Sequence, residues 1–239
     1  MKTKTIPAIG AGIILNLIPA LILTAGAQQI DIPGIFNTGV DDSGNLLAAG
    51  SVDPNWTITS SPVSSTPIAA LVVSPLNKGW EANTASSQWI NATGVGNDVE
   101  PAGLYIYTLT FSLAGYDPST ASILAEWVSD NNSEIYLNGA DTGISNNTNG
   151  FKPFKLFSLT SGFVDGENTL QFYVNQIPQG PGGGSDPEGL QVDVLNASAQ
   201  AVPEPATATL ALAALSMFGG IRILSNKAAR RAMANATPR

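Results

Sequence analysis

Apolar and polar residues alternate with a period of two along several segments between Ile30 and Ala201. Such alternation is typical of a half-buried strand in an antiparallel sheet, where successive side chains point to opposite faces. The clearest case places five apolar side chains on one face: Tyr105, Tyr107, Leu109, Phe111 and Leu113. Leu170, Phe172 and Val174 alternate with polar neighbours in the same way, and so do Leu190, Val192 and Val194. Helical periodicity is nearly absent from this region.

Shorter segments of the same kind predict the remaining strands: Trp56–Ser60, Ile68–Ser74, Gln88–Asn91, Ala121–Val128, Glu134–Leu137 and Phe154–Leu159. Turn signals such as Asn138-Gly139, Asp165-Gly166 and Asp117-Pro118 separate them. About eight or nine short strands with loops rich in Gly, Asn and Ser favour an all-β, antiparallel β-sandwich, in the jelly-roll arrangement.

The N-terminal 27 residues have the pattern of a secretory signal peptide. Lys2 and Lys4 precede an apolar stretch from Ile6 to Leu23. Small residues at Ala25 and Ala27 fit a signal peptidase site, which predicts cleavage before Gln28. An uncleaved N-terminal anchor is the alternative.

A second apolar segment lies near the C-terminus. After Val202-Pro203-Glu204-Pro205, the run 206–221 contains no charged residue, and Arg222, Lys227, Arg230 and Arg231 follow. Sixteen helical residues span about 24 Å, and extension to Leu224 gives roughly 28 Å, against a hydrocarbon core of about 30 Å. Because basic residues stay on the cytoplasmic side, this predicts a transmembrane helix with the sandwich outside.

The order of motif, apolar helix and basic tail resembles the PEP-CTERM sorting signal. The resemblance implies recognition of Pro203, Glu204 and Pro205 by an exosortase, which would remove the helix; an ordinary linker role for Glu204 is the alternative. Together with the N-terminal pattern, this resemblance predicts four parts of the chain: a signal peptide (1–27), an ectodomain (28–201), a sorting signal (202–231) and a tail end (232–239). The expected location is a precursor anchored in the inner membrane, then the cell envelope or extracellular space.

Composition excludes several chemistries. Without Cys and His the chain lacks disulfides, thiolate nucleophiles, a lipoprotein cysteine and the commonest general base. All acidic residues lie between Asp31 and Glu204, where the only basic residues are Lys78, Lys152 and Lys155. An acidic domain repels phosphate backbones, so no nucleic-acid partner is expected.

Two segments, 134–139 (EIYLNG) and 166–172 (GENTLQF), resemble galactose-binding-like jelly rolls. The resemblance implies a jelly roll over about Val52 to Ala199. Some domains of this kind bind sugars and others only fill space. Asn138-Gly139 and Asp165-Gly166 also have a purely local explanation as tight turns, and Asn168 has one as an Asx turn.

The candidate ligand contacts are Trp80, Asp130 and Asn131. Indole rings stack on the apolar faces of sugars, and Trp80 lies in a predicted loop between Gly79 and Glu81. Asp130 and Asn131 lie in a loop between two strands, for which a plain hairpin connection is the alternative. The other tryptophans, Trp56, Trp89 and Trp127, are expected in the core.

A structural calcium ion is a further hypothesis, with Asp41, Asp42 and Asp193 as ligands. The segment from Asp41 to Asn45 is rich in oxygen ligands and contains a glycine, but it lacks the EF-hand spacing. A solvated turn is the alternative, and no other cofactor is expected.

No catalytic motif such as G-x-S-x-G, a P-loop or a dinucleotide fingerprint is present. We therefore expect a non-enzymatic surface protein that binds polysaccharide, with a purely structural matrix component as the alternative. A glycoside hydrolase, with Glu126 and Glu134 as its carboxylate pair, is the hypothesis from another class.

Overall fold

The computed structural model describes residues 29–147, 150–178 and 186–202. The predicted signal peptide with Ala25, Ala27 and Gln28, and the predicted sorting signal from Pro203 onward, lie outside the described residues. None of the described residues belongs to a helix that could cross a membrane.

The described residues form eleven strands. They are β1 (Gln29–Asp31), β2 (Val52–Ser60), β3 (Ile68–Val72), β4 (Ile90–Asn91), β5 (Gly103–Ser112), β6 (Tyr116–Asp130), β7 (Asn132–Leu137), β8 (Ala140–Ser145), β9 (Lys155–Leu159), β10 (Glu167–Gln176) and β11 (Gly189–Ala201). Each strand predicted from the sequence is present, although several ends differ. Strands β1 and β8 are additional.

The strands pair in the order β8-β7-β10-β5-β2-β3-β4-β11-β6-β9, and β1 pairs with β11. All pairings between these strands are antiparallel. The sheet folds over, because Trp127 of β6 lies 6.4 Å from Phe172 of β10, ring centre to ring centre. The result is an all-β fold of two layers, with β8-β7-β10-β5-β2 packed on β11-β6-β9, consistent with a jelly roll.

Aromatic side chains from both layers meet in the core. The ring of Trp127 packs edge-on against Phe157 of β9 at 5.3 Å, and Trp56 of β2 packs against Phe172 at 5.8 Å. The predicted apolar face of β5, from Tyr105 to Leu113, is buried throughout. Buried indole N–H groups need acceptors; that of Trp127 donates to Ser133 Oγ at 3.0 Å.

Strand β11 departs from the simple alternation. Gln191 and Asp193, which alternate with its apolar residues, are also buried. Loop segments cover this outer face: Gln191 Nε2 donates to Ser87 Oγ at 2.9 Å, and Thr84 Oγ1 donates to Asp193 Oδ2 at 2.8 Å. Buried polar side chains are tolerated there because these loops supply hydrogen-bond partners.

The turn motifs of the jelly-roll resemblance stabilise two connections between strands, the β7–β8 hairpin and the segment before β10. Asn138 and Gly139 adopt φ values of 54° and 74° between β7 and β8, as a tight hairpin requires. The amide of Asn168 donates to the carbonyl oxygens of Val164 and Gly166, at 2.8 and 3.0 Å. The tight turn at Asn138-Gly139 is confirmed, and Asn168 does bond local backbone, but it holds the turn before it and does not form an Asx turn.

Candidate functional site

Buried carboxyl groups gather at one end of the sandwich, where β5, β7 and β11 begin and β6 and β10 end. We call this region the acidic end; its carboxyl groups belong to Glu100, Asp130, Asp186 and Glu188, all buried. Burying a carboxylate is costly unless it is paired or hydrogen-bonded. Clusters of buried carboxyl groups are enriched at functional sites.

Glu188 lies deepest and is fully buried. The hydroxyl of Tyr107 lies 2.6 and 2.7 Å from its two carboxylate oxygens, and the backbone N–H of Ala92 donates to Oε1 at 3.2 Å. Burial, followed by the charge of Glu100, raises the pKa of Glu188 well above its usual range. The alternation of β5 points Tyr107 inward and so places its hydroxyl beside this carboxyl group.

Glu100 is 3% exposed. Its Oε1 atom accepts hydrogen bonds from Asn91 Nδ2 at 3.2 Å and Thr93 Oγ1 at 2.9 Å. Its Oε2 atom is buried, and the Tyr105 hydroxyl, which donates to the carbonyl oxygen of Pro101 at 3.0 Å, also interacts with the Glu100 carboxylate and acts to lower its pKa. Burial raises the pKa of Glu100 to about 7, and the nearby charge of Asp98 acts in the same direction.

Trp80 and Asp130, both named from the sequence, are in contact here. Trp80 Nε1 donates to Asp130 Oδ2 at 2.6 Å, and burial raises the pKa of Asp130 to about 6. The indole of Trp80 is 7% exposed and stacks on Trp89 at 4.1 Å. Its ring also lies against Gly189, where an added Cβ would come within 2.7 Å of it. The expectation of an exposed loop tryptophan is therefore wrong, because packing against distant residues buries the ring.

Asn131 links this end to the segment after β10. Its Oδ1 atom accepts a hydrogen bond from the backbone N–H of Ile177 at 2.7 Å, and its Nδ2 donates to Asp130 Oδ1 at 2.7 Å. These bonds account for both groups of the side-chain amide. The structure thus brings Trp80, Asp130 and Asn131 together, in contacts that hold loops in place.

The calcium hypothesis fails on geometry. Asp41 closes a turn by accepting hydrogen bonds from the backbone N–H groups of Ser43 and Asn45, and the bonds to Asn45 lower its pKa. Asp193 instead lies on β11 under the loop that covers it. In the described ranges no three acidic side chains, Asp41, Asp42 and Asp193 included, come close enough to hold a metal ion.

The carboxylates of the hydrolase hypothesis lie on different layers. Glu126 is on β6, beside the inward-facing Trp127, and therefore points outward from that layer. Glu134 is exposed on β7, beside the inward-facing Ile135 of the other layer. The two groups point to opposite sides of the sandwich, so they do not form a pair across a groove.

A surface that the sequence reading missed lies on the outer side of β7 and β10. We call it the tyrosine face; it consists of Glu134, Tyr136, Gln171, Tyr173 and Asn175. Gln171 lies opposite Tyr136 and Tyr173 lies opposite Glu134 in the strand register, so the two tyrosines are diagonal neighbours. Their rings stack at 4.0 Å and 28°, and both side chains remain half-buried.

The signal for this face was present in the sequence. The alternation that buries Phe172 and Val174 places Tyr173 on the outer face. An outward tyrosine on a strand is a sugar-binding candidate on the same physical grounds as a loop tryptophan. The stacking itself was hidden, since it depends on which strand pairs with β10.

No protein-family model matches the sequence, and no curated protein matches it. Neither comparison therefore supports the PEP-CTERM resemblance.

Among solved structures, similarity is found to the family 35 carbohydrate-binding module of Paenibacillus barcinonensis, with 13% identity over 60% of this chain and 94% of the module, at a TM-score of 0.33. A family 35 carbohydrate-binding module from an environmental isolate has 9% identity over 62% of this chain and 98% of the module, with a TM-score of 0.30. A CBM36 domain of a multidomain xylanase from the hindgut metagenome of Trinervitermes trinervoides has 9% identity over 74% of this chain and 98% of the domain, with a TM-score of 0.28. Similarity at this level does not establish a common ligand.

Proposed function

We propose that this chain is an exported, non-catalytic protein whose sandwich binds polysaccharide on the tyrosine face. The observation that carries the proposal is the half-buried stack of Tyr136 and Tyr173 on an outward sheet surface. Aromatic rings offer a large rigid surface for the C–H faces of a sugar, and tyrosine adds a hydroxyl for its polar edge.

The surroundings of the two rings suit a sugar chain. Gln171 and Asn175 are half-buried on the same face and offer amide donors and acceptors. Glu134 is the face's carboxylate, and its Oε2 atom accepts a weak hydrogen bond from the Tyr136 hydroxyl at 3.4 Å. Because this carboxylate repels anions, neutral polysaccharides fit the face better than acidic ones.

Binding is tested by titrating the soluble protein with neutral polysaccharides of several backbone types. We expect Tyr136→Ala and Tyr173→Ala each to weaken binding about tenfold, the effect of losing about 1.4 kcal/mol of contact energy. Leu156→Ala is the matched control, because Leu156 is 63% exposed on β9 of the opposite layer and should leave affinity unchanged.

Two outcomes would count against the proposal. Binding that survives both tyrosine substitutions would place the sugar elsewhere. Retention on no polysaccharide at all would favour a structural matrix component without a ligand.

The proposed route to the surface uses the two terminal segments. Signal peptidase would cut before Gln28, and an exosortase would act at Pro203, Glu204 and Pro205. The membrane would hold the precursor through the apolar run that follows, and the mature protein would reach the envelope or the extracellular space. Two apolar segments, each with basic residues on one side, support this route.

A further inference from the structure

A row of polar side chains leads from the tyrosine face across the sheet to β2. Gln171 of β10 lies opposite Tyr136 of β7. On its other side Gln171 lies opposite Thr108 of β5, which in turn lies opposite Thr57 of β2. The side chains are connected, because Gln171 Nε2 donates to Thr108 Oγ1 at 3.3 Å and Thr108 Oγ1 lies 2.9 Å from Thr59 Oγ1. This polar row therefore runs roughly perpendicular to the strands.

A second row, beside the first, continues the apolar surface of the tyrosines. Tyr173 lies opposite Ile106 of β5, and Ile106 lies opposite Ser60 of β2. Tyr173 and Ile106 are both half-buried, so each side chain presents part of its surface to solvent. Neighbouring strands are about 4.8 Å apart, so the two rows extend about 14 Å from β7 to β2.

Both ends of the two rows are open to solvent. At the β8 end Asp141 and Ser145 are exposed, and at the β2 end Thr57 and Ser60 are exposed. This contrasts with the outer face of β11, where loop segments cover Gln191. A surface that is open at both ends admits a polymer that continues on either side, whereas a closed pocket admits only the end of a chain.

We propose that the two rows bind an internal stretch of a neutral polysaccharide that crosses the strands, with Ile106, Thr108 and Thr59 as a second subsite beside the tyrosines. The inference rests on the proposed function, because it extends the same sugar site. The strand spacing of about 4.8 Å is close to the length of one pyranose unit in an extended chain, so one sugar unit lies over each strand. Sugar rings lie on Tyr173 and Ile106, and the hydroxyl groups at their edges bond to the polar row.

The outward residues of β10 favour this direction over one along the strand. The outward positions that follow and precede the central pair on β10 are Asn175 and Thr169. Both side chains are polar, so neither extends the apolar surface on which a sugar ring can lie. Across the strands, Ile106 extends that surface. The side chains that β5 and β2 add to the rows are also uncharged, which suits a neutral chain.

The chain-length dependence of binding tests the inference. The full chain is titrated by calorimetry with cello-, xylo- and malto-oligosaccharides, from the disaccharide to the hexasaccharide. In the series that binds, we expect the affinity to rise about tenfold from the disaccharide to the tetrasaccharide and then to level off. The reason is that a tetrasaccharide reaches from β7 to β2, while a disaccharide covers only the two strands that carry the tyrosines.

Substitutions of Ile106 separate the second subsite from the tyrosines. Ile106→Ala should weaken tetrasaccharide binding about tenfold and leave the disaccharide affinity unchanged. Ile106→Tyr adds a third ring to the surface and suits a strand, so it should tighten tetrasaccharide binding; this test survives a poorly folding alanine variant. Leu124→Ala is the matched control, because Leu124 is 37% exposed on β6 of the opposite layer.

Three results would overturn the inference. The first is disaccharide binding that depends on Tyr136 and Tyr173 but does not strengthen with chain length or respond to either Ile106 variant; the proposed function would then stand. The second is a loss of tetrasaccharide affinity in Thr169→Ala in place of Ile106→Ala, which would place the chain along β10. The third is no binding in any series, which would count against the proposed function as well.

Discussion

Asp130 makes the stability of the sandwich depend on pH. Burial raises its pKa from 3.8 to about 6, despite the hydrogen bond from Trp80 that acts in the opposite direction. A carboxyl group with a raised pKa stabilises the folded state below its unfolded pKa, and this contribution is lost as the pH rises through the folded value. A shift of about two units corresponds to about 3 kcal/mol, at 1.36 kcal/mol per unit.

The substitution Asp130→Asn removes this titration but keeps an oxygen that can accept the hydrogen bond from Trp80. The new amide Nδ2 faces the donor Nδ2 of Asn131, a cost that does not change with pH. We therefore expect the difference in unfolding free energy between variant and wild type to shift in favour of the variant by about 3 kcal/mol from pH 4 to pH 7. Urea unfolding at several pH values, with chelator present, measures the difference. The indole N–H resonance of Trp80 reports the titration directly, because that group donates to Asp130 Oδ2.

The control is Asp165→Asn, which removes a carboxylate from the exposed turn between β9 and β10. It separates the effect of burial from the loss of one negative charge. Parallel stability curves for the wild type and Asp130→Asn from pH 4 to pH 8 would refute the reasoning. They would mean that Asp130 stays ionised in the folded protein, and hence that water or a cation reaches it.

Three other predictions concern packing and processing. Gly189→Ala should cost about 1–3 kcal/mol, seen as a lower Tm, because its Cβ would lie 2.7 Å from the ring of Trp80; an unchanged Tm would contradict that contact. Asn168→Ala should lower the free energy of unfolding by about 1–3 kcal/mol, since the buried Asn168 side chain holds the preceding turn through hydrogen bonds to Val164 and Gly166. Mass spectrometry of the surface-released protein should show a chain that begins at Gln28 and lacks the residues after Pro205; recovery of Arg239 on mature protein would count against processing.

The strands were predictable because their signal is local. In β5 and β10 one face is buried along the strand, and its central residues, such as Leu170, Phe172 and Val174 in β10, are apolar, so the period of two is clear. Strand β8 lies at the edge of the sheet and has no fully buried residue, so alternation is lacking there. Its signal was only the turn before it, Asn138-Gly139.

The environment of Trp80 was not predictable from its neighbours. Gly79 and Glu81 suggest an exposed loop, whereas the burial comes from Trp89 and Gly189, of which the latter is far away in the sequence. The burial of these acidic side chains cannot be predicted from the sequence either, because distant residues cause it. Glu100 and Glu188 lie in polar loop segments, and only the folded sandwich encloses them. Local pattern reports which way a strand faces, but not which distant loop will cover it.

The buried acids also change what the composition implies about charge. The formal net charge of −8 counts every carboxyl group as ionised at pH 7. Burial raises the pKa of Glu188 well above its usual range and that of Glu100 to about 7, so this count overstates the negative charge of the acidic end. The field felt by a partner therefore comes mainly from exposed acids, among them Asp42, Glu134 and Asp165. Of these, Glu134 lies on the tyrosine face itself, so the same carboxylate that disfavours nucleic acid there also favours a neutral sugar chain over an acidic one.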